Sequence, residues 1–97
     1  MKNRDEILTI LRSEKARLQA TYPVQSLALF GSVVRGEANE NSDVDVLIEL
    51  GPGVGLFGFC DIEEQLGKAL GAKVDLVPRG GLKKRIRDRV LSEAVTV

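Results

Sequence analysis

The chain has no histidine, no tryptophan, a single cysteine and no net charge, its 14 lysines and arginines balancing 14 aspartates and glutamates. The missing histidine removes the imidazole general base, the Ser-His nucleophile and the zinc–histidine site together. Cys60 on its own can form no internal disulfide, the usage expected in a reducing compartment such as the cytoplasm. With formal charge at zero, attraction to an acidic partner must come from a local patch. Aromatic residues amount to 4% of the chain, too few for a dedicated reader of single strands, so direct nucleic-acid binding is the weakest of the options. No apolar run is long enough for a transmembrane helix. The first residues, MKNRDEILTILRSEKARLQA, interrupt every apolar stretch with charge, unlike a signal peptide. A cytoplasmic protein with no membrane association is the expectation.

What is present fits a small globular unit. Hydrophobic residues at 43% and charged residues at 29% suit a folded chain rather than a disordered one. At 97 residues, one domain over 1–97 is expected, with a modest core and no room for a second substrate-recognition domain.

Periodicity gives the elements. Asn3 and Glu6 have capping-box spacing, and Ile7, Leu8, Leu11 and Leu18 follow as a stripe, predicting a helix over 3–20 that Pro23 stops. Val24 to Phe30 is apolar on both faces, as in a covered strand. A short helix over Ser32 to Gly36 and an Asn-rich turn over Glu37 to Ser42 lead to a second strand, Val44 to Leu50. Gly51-Pro52-Gly53-Val54-Gly55 is either a mobile loop near the site or a plain connector. Phe57, Phe59, Ile62, Leu66 and Leu70 mark a third helix ended by Gly71, with Cys60 packed against the sheet as a small residue. Lys73 to Val77 is a third strand ended by Pro78, parallel to the second by default, and Leu82 to Ala94 a last helix.

The stretch Gly31 to Leu50, GSVVRGEANENSDVDVLIEL, carries the chemistry. Val44, Val46, Ile48 and Leu50 alternate to one strand face, so Asp43 and Asp45 share the other, their Cα atoms roughly 6.6 Å apart. Crowded carboxylates repel and favour a cation between them; magnesium suits such oxygen ligands and is usually held by one or two carboxylates plus substrate phosphates. Gly31-Ser32, at a strand end just before a helix start, offers backbone N–H groups to a phosphate.

Gly31-Ser32, ten residues, then Asp43-Val44-Asp45 resembles the G-S-x10-D-x-D signature of the DNA polymerase beta-like nucleotidyltransferase superfamily. Within it, the chain is similar to the minimal nucleotidyltransferases found as antitoxins beside HEPN-domain toxins. The resemblance implies an α/β (α+β) fold, a small three-stranded mixed sheet with flanking helices. It implies a two-Mg2+ enzyme that uses ATP and transfers AMP, or another NMP, to a hydroxyl of a partner protein, a HEPN toxin thereby neutralised. Asp43 and Asp45 would bind the nucleotide-bridging ion and share a second, and Asp75 would complete that second ion and help deprotonate or orient the hydroxyl. Gly31 and Ser32 would hold the β and γ phosphates.

Alternatives stay open at particular residues. Asp75 could be a lone acid that discourages edge pairing. Arg35 either reaches the triphosphate or is an exposed helix arginine. The basic run Arg79, Lys83, Lys84, Arg85, Arg87 and Arg89 is either a solvated helix face or a docking surface for an acidic partner or a phosphate backbone. At the level of function, the alternatives are a stoichiometric antitoxin that binds without catalysis and a transferase with a small-molecule acceptor.

Overall fold

The computed structural model describes residues 2–97. Helix α1 spans Arg4–Leu18, and the predicted box closes it: Asn3 accepts from the Glu6 N–H while the Glu6 carboxylate accepts from the Asn3 N–H. Strand β1 (Val24–Phe30), helix α2 (Ser32–Arg35), strand β2 (Val44–Leu50), helix α3 (Leu56–Leu70) and strand β3 (Val74–Pro78) follow. A 3-10 turn at Arg79–Gly81 precedes helix α4 (Lys84–Glu93) and a final strand β4 (Val95–Thr96).

The sheet is mixed, with order β3-β2-β1-β4; β1 is antiparallel to both neighbours, and β2 and β3 are parallel. The expectation of three strands is therefore corrected to four. Two residues are too short for any alternation to register, and β4 exists only because the edge of β1 is open to Val95 and Thr96.

Each face of the sheet has its own packing. Leu27 and Leu29 of β1, Val44, Val46 and Ile48 of β2, and Val74 and Leu76 of β3 meet Ile7, Leu11 and Leu18 of α1 and Ile62, Leu66 and Leu70 of α3. On the opposite face Ala28 and Leu47 pack with Leu82 and Val90, so α4 covers only part of it. Because β3 precedes α4 and β4 follows it, α4 carries the chain from one edge of the sheet to the other. The uncovered remainder of that face is where the acidic residues stand.

The edge strand β3 is guarded rather than left bare. The Glu63 carboxylate of α3 accepts the Leu76 N–H at 3.0 Å, and Pro78 has no N–H to offer.

Two expectations are corrected by the packing, and one open alternative is decided. Phe57 is 91% exposed, because it lies in the first turn of α3, about 140° around the helix from Ile62. Cys60 is also exposed rather than against the sheet. The Gly51–Gly55 loop follows the end of β2 distant from Asp45, roughly 16 Å or more along the strand, so it is a connector on the far side from the site. No helix among the described residues is long and apolar enough to cross a membrane.

Candidate functional site

The register of the sheet builds the site. Asp45 stands opposite Phe30 of β1 and opposite Asp75 of β3, so Phe30, Asp45 and Asp75 form one row across three strands on one face. The next row, Ala28, Leu47 and Val77, carries the same face into the α4 core. Sequence periodicity puts Asp43 two residues earlier on this face, just before β2 begins. Its neighbour Val44 is anchored there, donating its N–H to the Lys73 carbonyl at 2.9 Å.

Gly31 closes the row from above. It ends β1 with φ 80 and ψ −152, a backbone region essentially confined to glycine, and serves as the N-cap of α2. A Cβ built on Gly31 would collide with Asp45 Oδ2 and lie 2.9 Å from Asp45 Cγ. The glycine therefore lets the β1–α2 turn lie directly on the aspartate carboxylate. Ser32 opens α2 half-buried beside it, and Gly36 ends that single turn in the left-handed region at φ 73.

The electrostatics of this arrangement are only partly relieved. Asp45 is half-buried, and loss of hydration, then the neighbouring Asp75 and Asp43 charges, raise its pKa against a smaller opposing pull from Arg35. Asp75 is exposed on the strand beside it. Among the described residues Asp43 has one distant cation, Lys73 Nζ at 4.0 Å, and Lys73 is itself exposed. Arg35 does not point at the aspartates. Its guanidinium donates to both Glu93 oxygens at 3.1 Å and to Glu37 at 3.0 Å, tying α2 to the end of α4. This Glu93 contact, across 58 residues of sequence, has no local signature and could not be read from spacing.

Among the described residues no three carboxylates or cysteines converge closely enough to hold a metal by themselves. The donor set is instead an adjacent pair, Asp45 and Asp75, with Asp43 nearby. A repelling pair of oxygen ligands, one half-buried and one exposed, fits a magnesium ion whose remaining ligands come from phosphate and water. A cavity of about 670 Å³ opens on the other side of Asp43, lined by Lys2, Glu6, Asn41, Leu70 and Lys73; it contains neither Asp45 nor Asp75.

The sequence family of nucleotidyltransferase domains matches residues 5–97. The chain belongs to that family. This nucleotidyltransferase is 43% identical over 93 residues to a protein adenylyltransferase, MntA, of Thermococcus cleftensis, covering 96% of this chain and 94% of the relative. Among solved structures it superposes on a minimal nucleotidyltransferase with a TM-score of 0.80 at 37% identity, covering 95% of this chain and 94% of the other. A toxin–antitoxin structure with AMP-PNP shares the fold at a TM-score of 0.69 and 23% identity, covering 98% of this chain and 72% of that one. The nucleotidyltransferase domain thus extends over nearly the whole chain.

Proposed function

We propose that this nucleotidyltransferase is a single-domain protein adenylyltransferase: it moves AMP from ATP to a hydroxyl of a partner protein, as a cytoplasmic antitoxin that neutralises a HEPN-family toxin. The observation that carries the reading is the Asp45–Asp75 register pair, with Asp45 lying under the Gly31 turn. The name of the Thermococcus relative supports the adenylyl donor and protein acceptor, and the toxin–antitoxin structures support the kind of partner.

In this reading Asp43, Asp45 and Asp75 would hold two magnesium ions together with the triphosphate. Magnesium, when bound, supplies Lewis-acid stabilisation of charge on the attacking and leaving oxygens. Gly31 and Ser32 lay the open backbone of the α2 start against the β and γ phosphates, a region where N–H groups lack helical acceptors. Asp75, exposed at the open side of the row, orients the acceptor hydroxyl and takes its proton. The hydroxyl oxygen bonds to the α phosphorus, the α–β phosphoanhydride breaks, and pyrophosphate leaves. Arg35 joins the triphosphate by exchanging its Glu93 contact for phosphate oxygens.

The test is transfer of label from ATP carrying α-³²P to a cognate HEPN-type partner in the presence of magnesium. Asp43→Asn and Asp45→Asn should each abolish labelling; retained labelling in both would rule the metal assignment out. If neutralisation of the partner persists in those variants without labelling, the protein acts by occupying the partner rather than by modifying it.

A further inference from the structure

The chain is neutral only as a whole. Residues 79–89 carry six cations against one carboxylate, leaving eight cations against thirteen acids on the remainder. This separation persists in three dimensions: Lys83, Lys84, Arg85, Arg87 and Arg89 are all exposed, and among the described residues none of them forms an ion pair. Ordinary solvated helix faces are laced with opposite charges at i, i+4 spacing, and Asp88 supplies the only acid within the run.

The cations do not stand apart from the site. A cleft of about 350 Å³ has Asp75 and Phe30 on its sheet side and Leu82, Lys83, Arg85 and Ile86 on its α4 side. Ile86 is 38% exposed at its mouth, on the apolar stripe of α4 that continues to buried Val90. The cleft therefore pairs an aliphatic wall with a cationic rim, and it opens onto the exposed carboxylate assigned to the acceptor.

We propose that this cleft is the acceptor dock: the start of α4 receives an acidic segment of the acceptor protein, with its carboxylates on Lys83 and Arg85 and an apolar side chain against Ile86. The inference rests on the transferase reading and deepens it by naming the chemistry of the acceptor. A protein segment fits better than RNA because the one aromatic side chain lining the cleft, Phe30, is half-buried on its sheet side and α4 adds none, whereas base recognition on single strands relies on exposed stacking platforms. The unpaired rim also gives a basis for acceptor choice, since opposed potentials steer encounter and reject cationic partners.

The experiment uses the full chain and two synthetic peptides, one in which Ser, Tyr and Leu alternate with Glu and one with Gln in place of Glu, together with oligo(U) RNA. Fluorescence anisotropy should show the Glu peptide binding about tenfold tighter than the Gln peptide, with the preference vanishing as salt is raised. The Lys83→Glu, Arg85→Glu variant should lose that preference, and Lys83→Arg, Arg85→Lys should keep it; thermal melts establish that both are folded. Equal affinity for the two peptides, an unchanged preference in the charge-reversed variant, or tighter binding of oligo(U) would each overturn the proposal. Asp45→Asn separates the two readings, because it should bind the Glu peptide normally while transferring no label. In kinetics, charge reversal should raise KM for the acidic acceptor and leave KM for ATP unchanged; a rise confined to ATP would assign these cations to the triphosphate instead.

Discussion

Gly31 and Asp45 occupy adjoining space with no allowance for a methyl group between them: the carboxylate of the β2 residue fills the position a side chain on Gly31 would take. Two halves of a sequence pattern fourteen positions apart are thereby one object. The glycine at the end of β1 is required both by its backbone angles and by the aspartate beneath it.

Gly31→Ala tests that relationship. The strained backbone conformation costs on the order of 1–3 kcal/mol for a residue other than glycine, and the clash displaces Asp45 as well. We expect a lower unfolding midpoint and a loss of about a hundredfold in AMP transfer, the scale associated with small misplacements of reacting groups. Gly53→Ala, at a positive φ of 96 but with nothing near its Cβ position, should lower stability while leaving transfer intact.

Asp45 gives a pH signature. Its pKa is raised in the folded protein by burial and by Asp75, so the folded state binds the proton more tightly than the unfolded chain does. Stability contributed by the protonated form is thus present below the unfolded value near 3.8 and lost as pH rises through the folded value. Asp45→Asn should be more stable than the parent chain at pH 7, with the advantage shrinking in acid, although it transfers nothing. Urea titrations across pH read this directly, and an Asn variant less stable at pH 7 would contradict it. Magnesium should raise the urea midpoint of the parent chain at pH 7 but not that of the variant.

Arg35 and Glu93 should move nucleotide affinity in opposite directions. Arg35→Ala removes the proposed triphosphate ligand and should raise KM for ATP about tenfold; Glu93→Gln weakens the competing contact and should lower KM. Each should lower the unfolding midpoint only modestly, because the Arg35 side chain is 37% exposed although that of Glu93 is only 15% exposed. Identical KM values in all three proteins would make the pair a brace between α2 and α4 and nothing more.

Two apolar residues that look alike in sequence should behave very differently. Leu29→Ala, fully buried between β1 and the α1–α3 layer, should cost about 2–5 kcal/mol. Phe57→Ala, at 91% exposure, should lie within about 0.5 kcal/mol of the parent chain. Chemical denaturation of the two variants is the measurement.

Much of this was legible in the order of residues. The Asn3–Glu6 box, the stop before Pro23, the limits of β1 and β2 and the C-cap at Gly71 depend on neighbours a few positions away, and all are found where local chemistry puts them. Phe57 departs from the pattern because an apolar residue at a helix start satisfies a loose count of the stripe without lying on it. The two-residue β4 and the contacts of Glu93 left no local trace, since both depend on partners more than fifty residues distant.

By itself the sequence determined which chemistry was available: oxygen ligands and no imidazole, a glycine and a serine at a fixed distance before two alternating aspartates, and a neutral total that conceals a basic run. Only the tertiary structure decided that β3 lies parallel to β2 with Asp75 level with Asp45, that Gly31 rests on the latter, and that the cations of α4 line the way to the former. Strand neighbours and register are set by long-range pairing and by burial of Val44, Val46, Val74 and Leu76 against α1 and α3. A one-residue slip in β3 would have turned Asp75 into that core, and the desolvation cost of an unpaired carboxylate there is what forbids it.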